Sequence, residues 1–600
     1  MRDTLAAMFS QYASMLGAVL MTAQLNAPLP PAPQWHGASE SLIVGADHPW
    51  ITPAEANGFT NTPTYAETRA WLERLAAASP LVRIETFGRS PQGRELIVVF
   101  ASANEGELDP DKPTLLVQCG IHPGEIDGKD AGMMLLRDIA FGSKRTLLDR
   151  VNLVFVPIFS VDGHEYASQF NRPNQRGPNN QGWRNTAQNL NLNRDYTKLD
   201  APEMRAMIAL IQSVDPDLYL DIHVTDGMDY QYDITYGFAG SEDSYAASRN
   251  IARWLNRHYR HGIDEALRRA GHIPGDLVFA NNDRALDQGL AAFAFSPRFS
   301  NSYGDMMGLA SVLFENHSLK PYRQRVLGTY VAIEESMRLL AQHGDALERA
   351  TAADARERPR TLPVGWRQTA EPVNQRSFLP IERESYRSTA SGAQETRWLG
   401  RPAAETRVPQ FGQEHTIELR RPRAYWVPAT KADVINVLRL HGVQFETISE
   451  SRTVEVELLG LPGASAAAAP FEGRTRVTAG EPERITREEW MPPGSIRVST
   501  DQPLGDLAMI LLEPQSEDSL FAWGFFNEIL SRVEYLEAYA LAPMADQMLA
   551  ADAELRAEFE ARLAADPAFA ADPDARLAWF YERSPYYDRR YLLYPVGIER

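Results

Sequence analysis

Between about residue 60 and residue 345, short unbroken apolar runs alternate with stretches whose apolar side chains recur every three or four positions. A run with no polar face suits a strand buried on both sides, and the wider spacing suits an amphipathic helix. "TLLVQCG", "VNLVFVPIFS", "LYLDIHV" and "ASVLFENH" read as the buried strands, with helices predicted over 127–140, 201–213, 243–270 and 320–342. "LVRIETFGRSPQGRELIVVFAS" reads as a hairpin turning at Ser90-Pro91-Gln92-Gly93, where proline and glycine supply the turn dihedrals. Strands alternating with helices predict an α/β domain.

One polar excursion breaks the rhythm: "NRPNQRGPNNQGWRNTAQNLNLNRDY". A loop of that length inside a compact domain is functional or disordered far more often than incidental. Beyond the α/β region the pattern changes twice. Residues 346–400, rich in Arg, Ala, Glu and Ser with scattered Pro, read as a linker. Residues 401–515 are strand-like ("HTIELRRPRAYWVPA", "RTVEVELLGL") and are expected to form a β-rich accessory domain. Residues 516–600 are expected to be a helical, aromatic-rich terminal segment, its rings spaced for packing. At the other end, residues 1–27 carry one early arginine and the apolar "SMLGAVLMTA", followed by the proline-rich "APLPPAP". That order makes 1–27 a candidate signal peptide and 28–59 an N-terminal linker. A cleaved signal implies a periplasmic or secreted protein; otherwise the protein is cytoplasmic.

Length and composition narrow the class. Six hundred residues exceed one ordinary core, so two or three domains are expected. A net charge of −19 excludes the basic surface that a nucleic-acid or anionic-membrane partner needs. No segment after the N-terminus has the roughly 18 apolar residues of a membrane span. The single cysteine, Cys119, excludes an intramolecular disulfide and any multi-cysteine zinc site, and it reads as a small buried side chain at a strand end.

The candidate chemistry starts at "CGIHPGEIDG". An H-x-x-E spacing is weak alone, and among twelve histidines it occurs twice. The second pair, His415 and Glu418, lies in a strand-like run, where i and i+3 face opposite ways and cannot share a metal. His122 and Glu125 leave a strand end on a Gly/Pro turn and can converge in the crevice where α/β sheets place their sites. A third ligand is needed, and His223 and His317 compete for it. His223 is preferred, because it leaves Glu315 for another task. Two His and one Glu around zinc keep a position open for water, and Glu315 can take that water's proton. Arg184 can stabilise an oxyanion, and Arg194 beside Asn193 can grip a carboxylate.

The order H-P-G-E, W-R, N-R, strand-terminal D-I-H and late F-E resembles the M14 family of zinc carboxypeptidases over residues 60–345, and "GRSPQGREL" resembles that family's early hairpin. The resemblance implies a mixed β-sheet flanked by helices, followed here by the β-rich region and the terminal helical segment. It implies one zinc ion held by His122, Glu125 and His223, with Glu315 as general base and Arg184 polarising the scissile carbonyl. Asn193 and Arg194 would bind the free C-terminal carboxylate of a peptide. Tyr303 is the nearest candidate for the family's mobile-loop tyrosine. One departure is Asn191, which stands where many members carry the Asp that orients a zinc-bound histidine. The function expected is a zinc metallocarboxypeptidase. A related zinc amide hydrolase acting on cell-wall peptides or acyl-amino acids is the alternative, and a non-catalytic relative is the third reading. His164, Glu165 and His317 read as support for the cleft. Nothing in the sequence bears on oligomeric state.

Overall fold

The apolar runs form the middle of an eight-stranded sheet in the computed structural model, which describes residues 29–600 apart from 242–243 and 293–294. The candidate signal peptide, 1–27, lies outside the described residues. The strands are β1 (Val82–Arg89), β2 (Glu95–Ala101), β3 (Thr114–Cys119), β4 (Asn152–Val156), β5 (Leu218–Val224), β6 (Ile234–Gly237), β7 (Pro274–Asp276) and β8 (Ala310–Asn316). Their order is β1-β2-β4-β3-β5-β8-β6-β7. The neighbours β4, β3, β5 and β8 run parallel, whereas β1 and β2 at one side and β6 beside β8 pair antiparallel. The sheet is therefore mixed.

Helices cover the sheet, which is why the central strands need no polar face. They are α1 (Tyr65–Ala78), α2 (Asp127–Phe141), α3 (Pro202–Val214), α4 (Arg260–Ala270), α5 (Ser300–Met307) and α6 (Tyr322–Asp354). Every residue of β3, β4 and β5 is buried, Cys119 among them. The first turn of α2 carries Asp127, whose carboxylate accepts from Arg325 Nε at 2.8 Å and Nη2 at 3.1 Å. Both groups are fully buried, so this two-pronged pair fixes α2 against α6 while the acid favours the helix N-terminus.

Three expectations about organisation differ from the structure. Of the residues expected as an N-terminal linker, 28–59, the described ones, 29–59, are packed on the domain. Trp35, Leu42 and Trp50 lie against its core, and Thr52 and Glu55 close a capping box on a short helix. Glu55 also meets the buried Arg137 at 2.6 Å. Residues expected as a linker at 346–400 are instead the end of α6 and three strands: β9 (Thr361–Phe378), β10 (Ile381–Arg387) and β11 (Gln394–Pro402). β10 pairs with β11, and β9 pairs with β12 (Thr406–Arg420) in a long antiparallel ribbon. Nor does the β-rich region begin at 401. The first compact unit takes in everything to 420 with 440–442 and 503–507, and the second comprises 421–439, 443–502 and 508–600. Chain ends mislead here, because the last strand of the second unit's six-stranded sheet is Leu593–Glu599, which pairs with Ala424–Val427 and Arg452–Gly460. The terminal segment is thus helices plus one strand of that sheet.

Candidate active site

Strand β3 ends at Cys119, and Gly120 follows with φ +68°, the left-handed conformation that only glycine adopts without strain. That turn lifts His122 and Glu125 off the sheet. Gly124 between them has no room for a side chain, since a Cβ would lie 2.5 Å from Arg172 Cγ and 2.7 Å from Gly182 O. On the neighbouring strand β5, Asp221 and His223 share one face, and in the parallel register His223 stands opposite Glu315 of β8.

His122, Glu125 and His223 are all buried, and one donor atom from each lies within 4.8 Å of the others. The outer nitrogen of each imidazole is spoken for. His122 Nε2 lies 3.1 Å from Asn191 Oδ1, and that oxygen also accepts from the Asn193 backbone N–H at 3.0 Å. The backbone donor identifies the Asn191 atom as oxygen, so His122 Nε2 carries the hydrogen. His122 Nδ1 is then a buried lone pair with no hydrogen-bond partner, 3.1 Å from Glu125 Oε1. A lone pair facing a carboxylate oxygen is repulsive until a cation sits between them, so the donor set fits a divalent metal. His223 Nε2 lies 2.8 Å from Asp221 Oδ2, while its Nδ1 lies 3.0 Å from Glu125 Oε2.

Electrostatics agree with that division of labour. Burial lowers the His122 pKa below the ordinary imidazole value, favouring the neutral ligand form. Burial opposes ionisation of Glu125, but the Arg172 guanidinium and the hydrogen bond from the His223 ring help hold the carboxyl well below its usual range. Burial likewise works against an imidazolium at His223, yet the Asp221 carboxylate makes that ring strongly basic. Glu315 goes the other way: burial pushes its carboxyl up to about 8, eased by His223 and reinforced by Glu125. A carboxyl near neutrality is suited to take and return a proton.

A cavity of about 390 Å³ opens beside these groups. His122, Glu125, Arg184, Asn193, Arg194 and Glu315 line it, with an apolar wall of Leu277, Val278, Phe279, Ala292, Phe299 and Leu313. Arg184 Nη1 lies 3.6 Å from Glu125 Oε1 and 3.7 Å from Asp226 Oδ2, its side chain one-third exposed. The Arg194 guanidinium stacks over Phe299 at 4.4 Å and donates to Asn193 O at 2.8 Å. Asn193 Oδ1 accepts from Ser300 N at 3.4 Å.

Tyr303 is not part of this cavity. It sits on α5 with its ring buried against Tyr196, and its hydroxyl lies 2.8 Å from His441 Nδ1. Nearness to Glu315 in sequence suggested the site, but the helix turns that face into the core. His164 and Glu165 pair with each other at 2.9 Å, and His317 accepts from Tyr230 N at 3.1 Å; none lines the cavity. The His415–Glu418 pair also differs from the alternation argument. Register slips on both sides of Ile417 carry the two side chains to one separate cavity, where no group of metal-spaced donors occurs among the described residues.

Two residues were missed. Arg172, with φ +51°, donates from Nη2 to Glu125 Oε1 at 2.7 Å and to Asp226 Oδ1 at 3.2 Å. It comes from the aperiodic polar excursion, where nothing marks one arginine above another. Asn301 lines the cavity with its Nδ2 buried and unpartnered. Its place in "FSNSYGD" gives no sign of this, because the helix start decides which residue faces the cavity.

Residues 68–283 match the family model described as zinc carboxypeptidase. Carboxypeptidase 2 of Trichophyton rubrum is 24% identical over 499 residues, 78% of this chain and 84% of that protein. The inactive metallocarboxypeptidase ECM14 of Saccharomyces cerevisiae is 27% identical over 248 residues, 36% of this chain and 55% of that protein. Among solved structures, carboxypeptidase A from Helicoverpa armigera aligns with a TM-score of 0.35 at 20% identity, covering 50% of this chain and 76% of that one.

Proposed function

We propose, from the premise that residues 68–283 belong to the zinc carboxypeptidase family, that this protein removes C-terminal residues from peptides. The observation that carries the reading is the convergence of His122, Glu125 and His223 beside a cavity that also receives Glu315, Arg184, Asn193 and Arg194. A zinc ion held by His122, Glu125 and His223 would supply Lewis-acid polarisation and lower the pKa of water. The chain's own residues do the rest. Arg194 and Asn193 hold the terminal carboxylate, which fixes the last peptide bond and no other against the reacting groups. Arg184 donates to the oxygen on which negative charge develops. Glu315 accepts a proton from the attacking water and returns it to the departing amine nitrogen, a double duty suited to its raised pKa.

Two substitutions test the assignment. Glu315→Gln should keep metal content unchanged while lowering kcat by at least about 100-fold; a normal rate removes Glu315 from the mechanism. Arg194→Ala should weaken cleavage of peptides with free C-termini far more than that of amidated ones. Equal losses on both would instead favour a zinc amide hydrolase acting on cell-wall peptides or acyl-amino acids.

A further inference from the structure

The apolar wall of the cavity has little regular structure of its own. Leu277, Val278, Phe279 and Ala292 belong to a segment whose internal regular structure is one bridge, Ala280 with Leu290, and a three-residue 3-10 turn at Leu286–Gln288. Besides its own turn bonds, such as Asn281 N to Gly289 O at 3.0 Å, it is bonded to the ribbon β9–β12, which lies outside the family match. Leu290 N donates to Pro409 O at 2.8 Å, and Phe411 N donates to Leu290 O at 3.0 Å, making a short parallel bridge. Below it, Leu286 and Leu290 share a small apolar cluster with Phe378 and Val408.

Side chains of the ribbon complete the attachment. Gln410 Nε2 donates to Ala291 O at 3.1 Å, Gln413 Oε1 accepts from Phe295 N at 3.2 Å, and Gln368 Oε1 accepts from Ala292 N at 3.2 Å. Gln368 Nε2 reaches Asn281 Oδ1 at 3.2 Å, and Arg376 Nη1 donates to Leu277 O at 3.1 Å. In a regular strand Gln410 and Gln413 would face opposite ways. The register shifts at Gln410/Phe411 and Phe411/Gln413, bulges that re-aim side chains, so Gln410 meets the wall segment at Ala291 and Gln413 meets Phe295 beyond its end.

We propose that the β9–β12 ribbon is part of the substrate-binding apparatus, with Gln368 and Gln410 as positioning residues that hold the 277–292 wall against a bulky apolar C-terminal side chain. The proposal rests on the carboxypeptidase reading for its substrate and on the ribbon geometry for its mechanism. Phe279 is 43% exposed while lining the cavity, so a ligand ring or branched chain would cover apolar surface that the free protein leaves wet. A small terminal residue such as alanine would not reach enough of that wall to depend on it.

The test compares wild type with Gln368→Leu, Gln410→Leu and the double variant, and with Gln375→Leu as a control at an exposed ribbon position. Gln368 is itself exposed, so its variant leaves the core intact if the buried Gln410 variant fails to fold. Peptides ending in Phe and in Ala are assayed alongside metal content and amide hydrogen exchange. The double variant should raise KM for the Phe-ending peptide about tenfold, the loss of a few net hydrogen bonds, with kcat and the Ala-ending peptide unchanged. Amides of residues 290–292 should exchange faster in it and not in the control. Unchanged exchange, or equal losses on both peptides, overturns the proposal. Metal-loaded wild type that cleaves neither peptide overturns the catalytic reading instead, and the exchange comparison alone then decides the ribbon's role.

Discussion

Asn191 does two jobs with one oxygen, capping the backbone at Asn193 and accepting from His122 Nε2. Its counterpart for the other imidazole is a carboxylate, Asp221, so the two histidines proposed as metal ligands have unequal outer partners. A carboxylate partner makes an imidazole a stronger donor, and such outer partners are worth about 10–100-fold in metal affinity. Asn191→Asp keeps the oxygen that both bonds need. It should slow zinc transfer to a chelator about tenfold at fixed pH, whereas Asn191→Leu should speed it. Equal transfer rates in all three proteins would mean that the His122 contact does not tune the metal. The identity of Asn191 and its neighbourhood were readable in the sequence, because the N-x-N-R spacing fixes which residue stands two before the Asn-Arg pair. Arg172 was not readable, since it reaches Glu125 from a loop whose path no periodicity encodes.

At the scale of elements, α3 carries a cost that a titration will show. Glu203 in its first turn is fully buried, neither carboxylate oxygen has a partner, and burial pushes its pKa up to about 7. Unfolded, the same group titrates near 4.3. Between these values the folded state binds the extra proton, so stability falls as pH rises from about 4.5 to about 7 and the full penalty remains above that window. Glu203→Gln should flatten this decline, with a gain on the order of 2 kcal/mol in unfolding free energy at pH 8 relative to pH 4.5. Asp305, pushed by burial up to about 7, titrates in the same window and will keep part of the slope. An unchanged slope in denaturant unfolding at the two pH values would contradict the assignment. The elements around the site were legible because β3, β5 and β8 are short, mostly apolar runs without alternation, a pattern that two-sided burial favours. The ribbon was not. Much of β9 and β12 is exposed on both faces, so no alternation marks them and their Arg, Glu and Gln content imitates a linker.

For the whole molecule, the residues proposed for catalysis lie within the first compact unit, yet the wall of their cavity is bonded to strands that follow the family match by some eighty residues of chain. The similarity to carboxypeptidase 2 of Trichophyton rubrum likewise extends over 78% of this chain, well past that match. The metal-site residues could be proposed from motif order because each sits at the end of a central strand or on the turn that leaves one. The substrate wall could not, because it is assembled from parts far apart in sequence and held by side-chain bonds. The central claim is a metal-dependent hydrolysis confined to free C-termini. The most direct measurement is metal analysis of the purified protein, followed by mass spectrometry of a mixed peptide library, free and amidated, with and without a chelator. The account predicts one zinc per chain and stepwise loss of single C-terminal residues from the free peptides, abolished by the chelator and restored by zinc. Internal cleavage, equal cleavage of amidated peptides, or activity that survives complete metal removal would contradict it.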